Sequence, residues 1–258
     1  MFDVTSSQPK SLAVLTQQWD QLAKERERQL SSGLDISFNK VVAPTALKLL
    51  AGADLSLLVD VGAGTGHFAA LASPLAGSVI GVEPSGASVE IAKRVCENLQ
   101  NVRFIQSPVE DVKAVQLPGL ASAASAIMVM MAAPDLKLFA ESVGSLLRQG
   151  GTFVAVIPHP CFWPQYWGYS DADWYDYTTE IFVEAPFKVS RDQTSIRTTH
   201  IHRPLSQYLS TFANQGFRLV TFEEPLPEES VQAMYPEPWN FPRFAALKWI
   251  KECHRIIG

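Results

Sequence analysis

Cysteine is scarce in this chain of 258 residues: Cys96, Cys161 and Cys253 are the whole supply. The number is odd and no C-x-x-C spacing occurs, which speaks against a disulfide-built scaffold and for a reducing compartment. Long apolar runs are missing too. The most hydrophobic window, "AIMVMMAA" (126–133), is far too short to span a bilayer. The opening "MFDVTSSQPK" has no charged segment followed by an apolar one, so no signal peptide is expected and the protein reads as cytoplasmic. Basic residues are not in excess: 21 lysines and arginines face 26 aspartates and glutamates, a net charge of -5. A protein that tracks nucleic-acid phosphates usually carries a basic face, so neither nucleic acid nor membrane is expected as a partner. Internal repeats and low-complexity tracts are also absent.

What is present is an alternation of strand-like and helix-like stretches. Residues 12–30 and 43–52 read as two helices. Five strands follow, "LSLLVDVG" (55–62), "SVIGVEP" (78–84), "NVRFIQS" (101–107), "SAASAIMVMMA" (122–132) and "TFVAVIPHP" (152–160). Helices are expected over 67–77, 87–99 and 134–151, the last closed by glycines. Strands alternating with helices of this length predict a doubly wound parallel sheet. Beyond residue 159 the pattern changes to a stretch rich in Pro, Trp, Tyr and Asp. A hairpin is expected over 179–202, a helix over 204–217, and late strands over 217–225 and 243–252. The division is one domain: N-terminal helices (1–52), a ligand-binding core (53–158), an insertion after the fifth strand (159–203), and a C-terminal helix with strands (204–258).

The informative stretch is "LLVDVGAGTGHFAA" (57–70), a strand that hands a glycine-rich turn to a helix. A dinucleotide fingerprint needs G-x-G-x-x-G, but here Gly62, Gly64 and Gly66 alternate and His67 stands where the third glycine belongs. A P-loop needs G-K-[ST], and no lysine is present. Both phosphate-cradling readings are weakened. Asp60 at the strand end suits an ammonium group. Glu83, ending the next strand, suits the two hydroxyls of an adenosine ribose, as in other sheets of this kind. The implied ligand has a ribose and a positive charge.

These residues resemble the class I S-adenosylmethionine-dependent methyltransferases, and the resemblance runs from about residue 57 to residue 157. "VDVGAGTG" is similar to that family's first motif and "VIGVEPS" to its second. "FIQSPVEDV" (104–112) is similar to the third, "IMVMMAAPD" (127–135) to the strand end beneath the methionine portion, and "LLRQGGTFVAVIP" (146–158) to the helix–turn–strand that follows. The resemblance implies a Rossmann-like α/β fold. Its doubly wound seven-stranded sheet has an antiparallel last strand, and a lid insertion follows the fifth strand. It implies S-adenosylmethionine as cofactor, held by Asp60, Gly62, Ala63, Gly64, Gly66, Glu83, Pro84, Val109, Glu110 and Met130. Trp19 either approaches the same site or simply docks its helix. Two departures stand out. Ser122 to Ser125 replace an aspartate common at the fourth strand, and Ser107–Pro108 follow the third strand where an Asp often occurs. No N/D-P-P-Y/F motif follows the fourth strand, which speaks against acceptors that are exocyclic amines of bases.

The insertion "CFWPQYWGYSDADWYDY" (161–177) resembles the acceptor lid of small-molecule methyltransferases. Phe162, Trp163, Trp167, Tyr169 and Trp174 would wall an aromatic or apolar acceptor, and Asp171, Asp173 and Asp176 would favour a cation. The competing reading makes these aromatics a local core or a homodimer contact. His159 and His202 are candidates for a base, and His200 for contact with the acceptor. Arg203 either grips an acceptor carboxylate or forms a salt bridge. No metal site is expected, although His159, Cys161, His200 and His202 have i, i+2 spacings. Two rival functions share the pattern: a nicotinamide-dependent oxidoreductase, and a non-catalytic cofactor-binding accessory protein. A protein or peptide acceptor is a third possibility.

Overall fold

A computed structural model of the chain describes residues 3–252; Cys253 lies outside the described residues. In chain order the elements are β1 (Thr5–Ser7), α1 (Leu12–Ser31), α2 (Ala43–Leu50), β2 (Leu58–Val61), α3 (His67–Ala72), β3 (Val79–Glu83), α4 (Gly86–Val95), β4 (Val102–Gln106), β5 (Ala121–Ile127) and α5 (Leu136–Leu146). They continue with β6 (Leu147–Pro158), α6 (Trp163–Trp167), β7 (Ile181–Val189), β8 (Asp192–His202), α7 (Leu205–Asn214), β9 (Phe217–Glu223), α8 (Glu229–Gln232) and β10 (Phe244–Lys251).

Seven strands form the main sheet in the order β4-β3-β2-β5-β6-β10-β9. The pairs from β4 to β6 are parallel, and β10 runs antiparallel to both β6 and β9. This is the Rossmann-like arrangement with an antiparallel last strand. Side chains alternate across it, as the pleat requires. Val59, Val61, Ile80 and Phe153 enter a core with α5 and α7, while Leu58, Val79, Val154 and Val156 enter a second core with α2 and α3. Both faces are covered, which is why the central parallel strands β2, β3 and β5 are buried along their whole length and largely apolar.

The expected boundaries move in two places. The run 122–132 is not all strand: β5 ends at Ile127, Met128 takes φ 60°, and Met130–Ala132 form a 3-10 turn. The expected helix over 134–151 ends at Leu146. Asp135 starts it by accepting a bond from the Leu138 amide at 2.8 Å. Leu147 is already extended and paired with Ala121, and Gly150, at φ 73°, lies in the irregular first part of β6, where the pairing with β5 shifts register.

The segment between β6 and α7 forms α6 and the β7–β8 hairpin, and β1 adds to it antiparallel as a three-stranded sheet. Leu15 of α1 packs on Phe182 and Ile201 of the hairpin. Asp20, also on α1, accepts hydrogen bonds from the Ser85 hydroxyl (2.6 Å) and the Ala87 amide (3.1 Å). Helix α1 thereby bridges the small sheet and the end of β3.

Candidate functional site

A cavity of about 250 Å³ opens at the carboxyl ends of β2, β3, β5 and β6. Helix α1, helix α6 and the hairpin form its other walls. Open α/β sheets bind their ligands at this edge. Because β10 is antiparallel, its first residue, Phe244, and Arg243 just before it arrive at the same edge.

One end of the cavity is built by the glycine turn and two carboxylates. The Gly62 and Ala63 amides donate to the Val82 carbonyl at 2.7 and 3.1 Å, fixing the turn against β3. Gly62 has φ 65°, and a Cβ there would lie 2.4 Å from Val129 Cγ2, so no side chain fits. Glu83 is held by two main-chain donors: the Gly64 amide to Oε2 at 2.9 Å and the Ser85 amide to Oε1 at 2.8 Å. Asp60 accepts from the Ser125 hydroxyl at 2.8 Å, while its Oδ2 is buried without a partner. Burial raises both carboxyls to about 7, against the hydrogen bonds that lower them. A buried carboxylate oxygen with no donor is an open place for an ammonium group. Trp19, Ala63, Gly64, Pro84, Val109 and Glu110 also line this cavity.

The other end is aromatic. Trp163, Tyr166 and Trp167 of α6 line it together with Phe187, Lys188 and His200 of the hairpin, and Arg243 and Phe244 of β10. His200 faces the Trp167 ring at 5.3 Å and shares a 3.0 Å hydrogen bond between its Nε2 and the Tyr169 hydroxyl. Burial, with a smaller push from His202, depresses the His200 imidazole to about 3, so it is neutral at ordinary pH.

Several expected site residues stand elsewhere. His159 lies outside the cavity wall. Its Nδ1 accepts from the Cys161 amide at 3.2 Å, so Nε2 carries the proton and donates to Glu224 at 2.7 Å. His202 donates from Nε2 to the Tyr177 carbonyl at 3.1 Å. Neither histidine reaches the cavity, because each is turned into a local contact. Arg203 is 1% exposed. It pairs with Glu180 and donates to the Met130, Ala133 and Pro134 carbonyls at 3.0, 2.7 and 3.2 Å. It braces the chain after β5 and does not meet the cavity. Met130 itself is fully buried in the core; its neighbours Met128, Val129 and Met131 line the cavity instead. Phe162 stacks on Phe241 at 5.6 Å, and Trp174 stacks on Tyr169 at 5.4 Å, all outside the cavity wall. Tyr169 touches the site only through His200. Gly66 is not a wall residue either: it starts α3 at φ 80°, with Ala92 so close that a Cβ would lie 2.9 Å from it. Asp171, Asp173 and Asp176 are exposed and do not line the cavity.

Sequence reasoning missed Lys188, His67 and Arg243, and had Tyr166 only as one aromatic of the 161–177 stretch. Of the three, Arg243 had a signal: the residue that opens the expected antiparallel last strand (243–252) lies at the ligand edge. His67 lies against the turn, its ring bonded to the Thr65 and Ser31 hydroxyls at 3.0 and 3.2 Å. Among the described residues, no group of three or more His, Cys, Asp or Glu side chains is placed to hold a metal ion. No helix among them is long and apolar enough to cross a membrane.

A sheet of this order, with a glycine turn and a strand-end acid pair at its carboxyl edge, is a Rossmann-like α/β arrangement. Residues 58–151 match the methyltransferase domain family. Over 138 residues the chain is 28% identical to a probable S-adenosylmethionine-dependent methyltransferase of Saccharomyces cerevisiae, CRG1. That stretch is 52% of this chain and 43% of the yeast protein, so the match spans less than half the relative's length. The fold resembles that of a methyltransferase from Clostridium acetobutylicum (TM-score 0.64, 11% identity, 91% of this chain and 99% of that one). It also resembles DhpI, solved as a complex with SAH (TM-score 0.62, 19% identity, 93% and 97% of the two chains). The likeness to S-adenosylmethionine-dependent methyltransferases thus includes residues 58–151, the segment that carries the glycine turn and the acid pair.

Proposed function

We propose that the protein transfers a methyl group from S-adenosylmethionine to a small molecule with an aromatic or apolar body. The observation that carries this reading is a single cavity with a carboxylate-bearing end at the glycine turn and an aromatic end beneath α6 and the hairpin. Bound S-adenosylmethionine supplies a methyl group on a sulfonium, which is already an excellent leaving group. The acceptor gains the methyl, and the sulfur keeps the bonding pair and becomes a neutral thioether.

The chain's own residues do the rest. Glu83, fixed by two amides, offers its remaining lone pairs to ribose hydroxyls. Asp60 Oδ2 takes the ammonium group. His67 stands in the place of the third fingerprint glycine, which a dinucleotide fold uses for close helix–strand packing, and its presence weighs against a nicotinamide cofactor. Trp163, Trp167 and Phe187 hold the acceptor body and exclude water, so that orientation does most of the work. His200 is neutral and only weakly basic, and no other histidine of the hairpin meets the cavity. That arrangement suits a nucleophile that carries no proton near neutral pH.

Calorimetric titration with S-adenosylmethionine, its demethylated product and NAD tests the donor reading. Binding of the first two and not NAD supports it, and labelled-methyl transfer to a panel of small acceptors then tests turnover. Binding of NAD alone replaces it with the oxidoreductase reading.

A further inference from the structure

The aromatic end of the cavity gathers buried donors that have no hydrogen-bond partner. Arg243 is 7% exposed, and its guanidinium lies over three rings: Tyr166 at 4.0 Å, Trp239 at 4.6 Å and Tyr235 at 5.6 Å. Among the described residues, no carboxylate forms an ion pair with it. Its Nε is buried without a hydrogen-bond partner. The same is true of the indole N–H groups of Trp163 and Trp167, which line the cavity, and of Trp239, which packs on Arg243 and Phe244. Four buried donors in one neighbourhood therefore go unmatched, where folded proteins usually satisfy nearly all such groups.

A second cation shares the place. Lys188 Nζ lies 4.7 Å from the Tyr166 ring centre and 5.1 Å from that of Trp167. Burial and the Arg243 charge together lower its amine to about 8, a direct sign that the two cations feel each other. Arg26, further along the wall, is already neutralised by Asp35 at 3.0 Å. Glu237, exposed on the loop before β10, is the acid whose field reaches both Lys188 and Arg243. For Arg243, the rings and the Tyr166 hydroxyl compensate the buried charge only in part, since Nε keeps no partner.

We propose that the methyl acceptor carries an anionic group, a carboxylate or a phosphate, held at this end by Arg243 and Lys188 with the indole N–H donors beside them. An anion fits the features of the wall together: it brings acceptors to the side where Arg243, Trp163 and Trp167 carry unpartnered donors, lies between two like charges, and meets a guanidinium fork suited to paired oxygens. The expectation that nearby acids favour a cationic acceptor is thereby reversed, since those acids are exposed and the cavity wall offers cations. The inference rests on the methyltransferase reading only for the word acceptor; the anion site stands by itself.

The test is binding, kept apart from turnover. The protein saturated with S-adenosylhomocysteine is titrated at about pH 7 with benzoate, phenyl phosphate, benzyl alcohol and benzylamine, which share a ring and differ in charge. Benzoate or phenyl phosphate should bind at least about tenfold more tightly than the alcohol and the amine; whichever of the two leads identifies the anion. Arg243→Gln and Lys188→Met should each erase most of that preference while leaving S-adenosylhomocysteine binding intact. The comparison in the unaltered protein needs no variant, so a misfolded Arg243→Gln does not protect the idea. Equal or tighter binding of the alcohol or amine overturns it, as does a preference that survives both substitutions. Failure of S-adenosylhomocysteine to bind would instead strike the methyltransferase reading.

Discussion

Ser125 and Asp60 face each other as paired neighbours on two parallel strands, and the serine hydroxyl donates to Asp60 Oδ1 at 2.8 Å. The bond occupies one carboxylate oxygen and leaves Oδ2 for a ligand. Asp60→Asn keeps the shape and removes the charge. S-adenosylmethionine affinity is expected to fall about tenfold or more, the usual loss for a charged hydrogen bond. Calorimetry checks this, and an unchanged dissociation constant in the folded variant would remove Asp60 from the ammonium site.

The pH dependence of donor binding follows from the same pair of acids. Burial lifts Asp60 and Glu83 from the ordinary carboxylate range to about 7 each. A raised carboxyl pKa means that the ligand-free fold prefers the protonated acid. The stability it contributes is fully present at low pH and is lost as pH rises from about 4 to about 7. A cationic ligand prefers the ionised acids. The rise in melting temperature given by S-adenosylmethionine is therefore expected to be larger at about pH 8 than at about pH 6. A rise of equal size at both pH values would show that these acids stay ionised without ligand.

Glu83→Ala is expected to weaken donor binding by about 1–3 kcal/mol, since the ribose acceptor is lost and the Gly64 and Ser85 amides are left without theirs. Denaturation of the ligand-free variant separates the two effects: a stability loss without an affinity loss would mean that Glu83 serves only the turn.

Gly66 and Gly64 make a matched comparison. A Cβ at Gly66 would lie 2.9 Å from Ala92 Cβ and 3.2 Å from Phe104 Cζ, at φ 80°. At Gly64, φ is 53° and no atom lies within 4 Å. Urea denaturation should find Gly66→Ala destabilised by about 2–3 kcal/mol and Gly64→Ala by about 1–2 kcal/mol, the second through backbone strain alone. Equal losses would mean that α3 moves away from α4 at no cost.

Arg203→Met should act on stability, not on acceptor choice. It strips the donors from three main-chain carbonyls after β5, at a cost of about 3 kcal/mol. A lowered melting temperature with an unchanged acceptor KM is the expected pattern; a raised KM alone would bring Arg203 back to the cavity.

The donor end was legible because it is local. Asp60, the glycines and Glu83 lie within a single β-α-β unit, and the strand-end geometry follows from the spacing. The acceptor end was not, because it is assembled across distance. Lys188 and Arg243 belong to different sheets and meet over Tyr166, a neighbour of neither in sequence. His159 and His202 lie away from the cavity for the same reason. Glu224 and the Tyr177 carbonyl, which engage His159 and His202, lie 65 and 25 residues away from them. The end of β5 was lost in "IMVMMA", where nothing polar marks the point at which Met128 leaves the strand.

The two ends of the cavity are made from different materials. At the glycine turn the wall is mostly backbone, and its two carboxylates are held by neighbouring strands and amides. At the far end it is side chains from α6, β7 and the start of β10. A substitution at Tyr166, Phe187 or Lys188 alters what is recognised without disturbing a main-chain contact of the turn. What the aromatic end recognises is thus open to drift by single-residue changes, while the path of the glycine turn is tied to the main-chain bonds that fix it against β3.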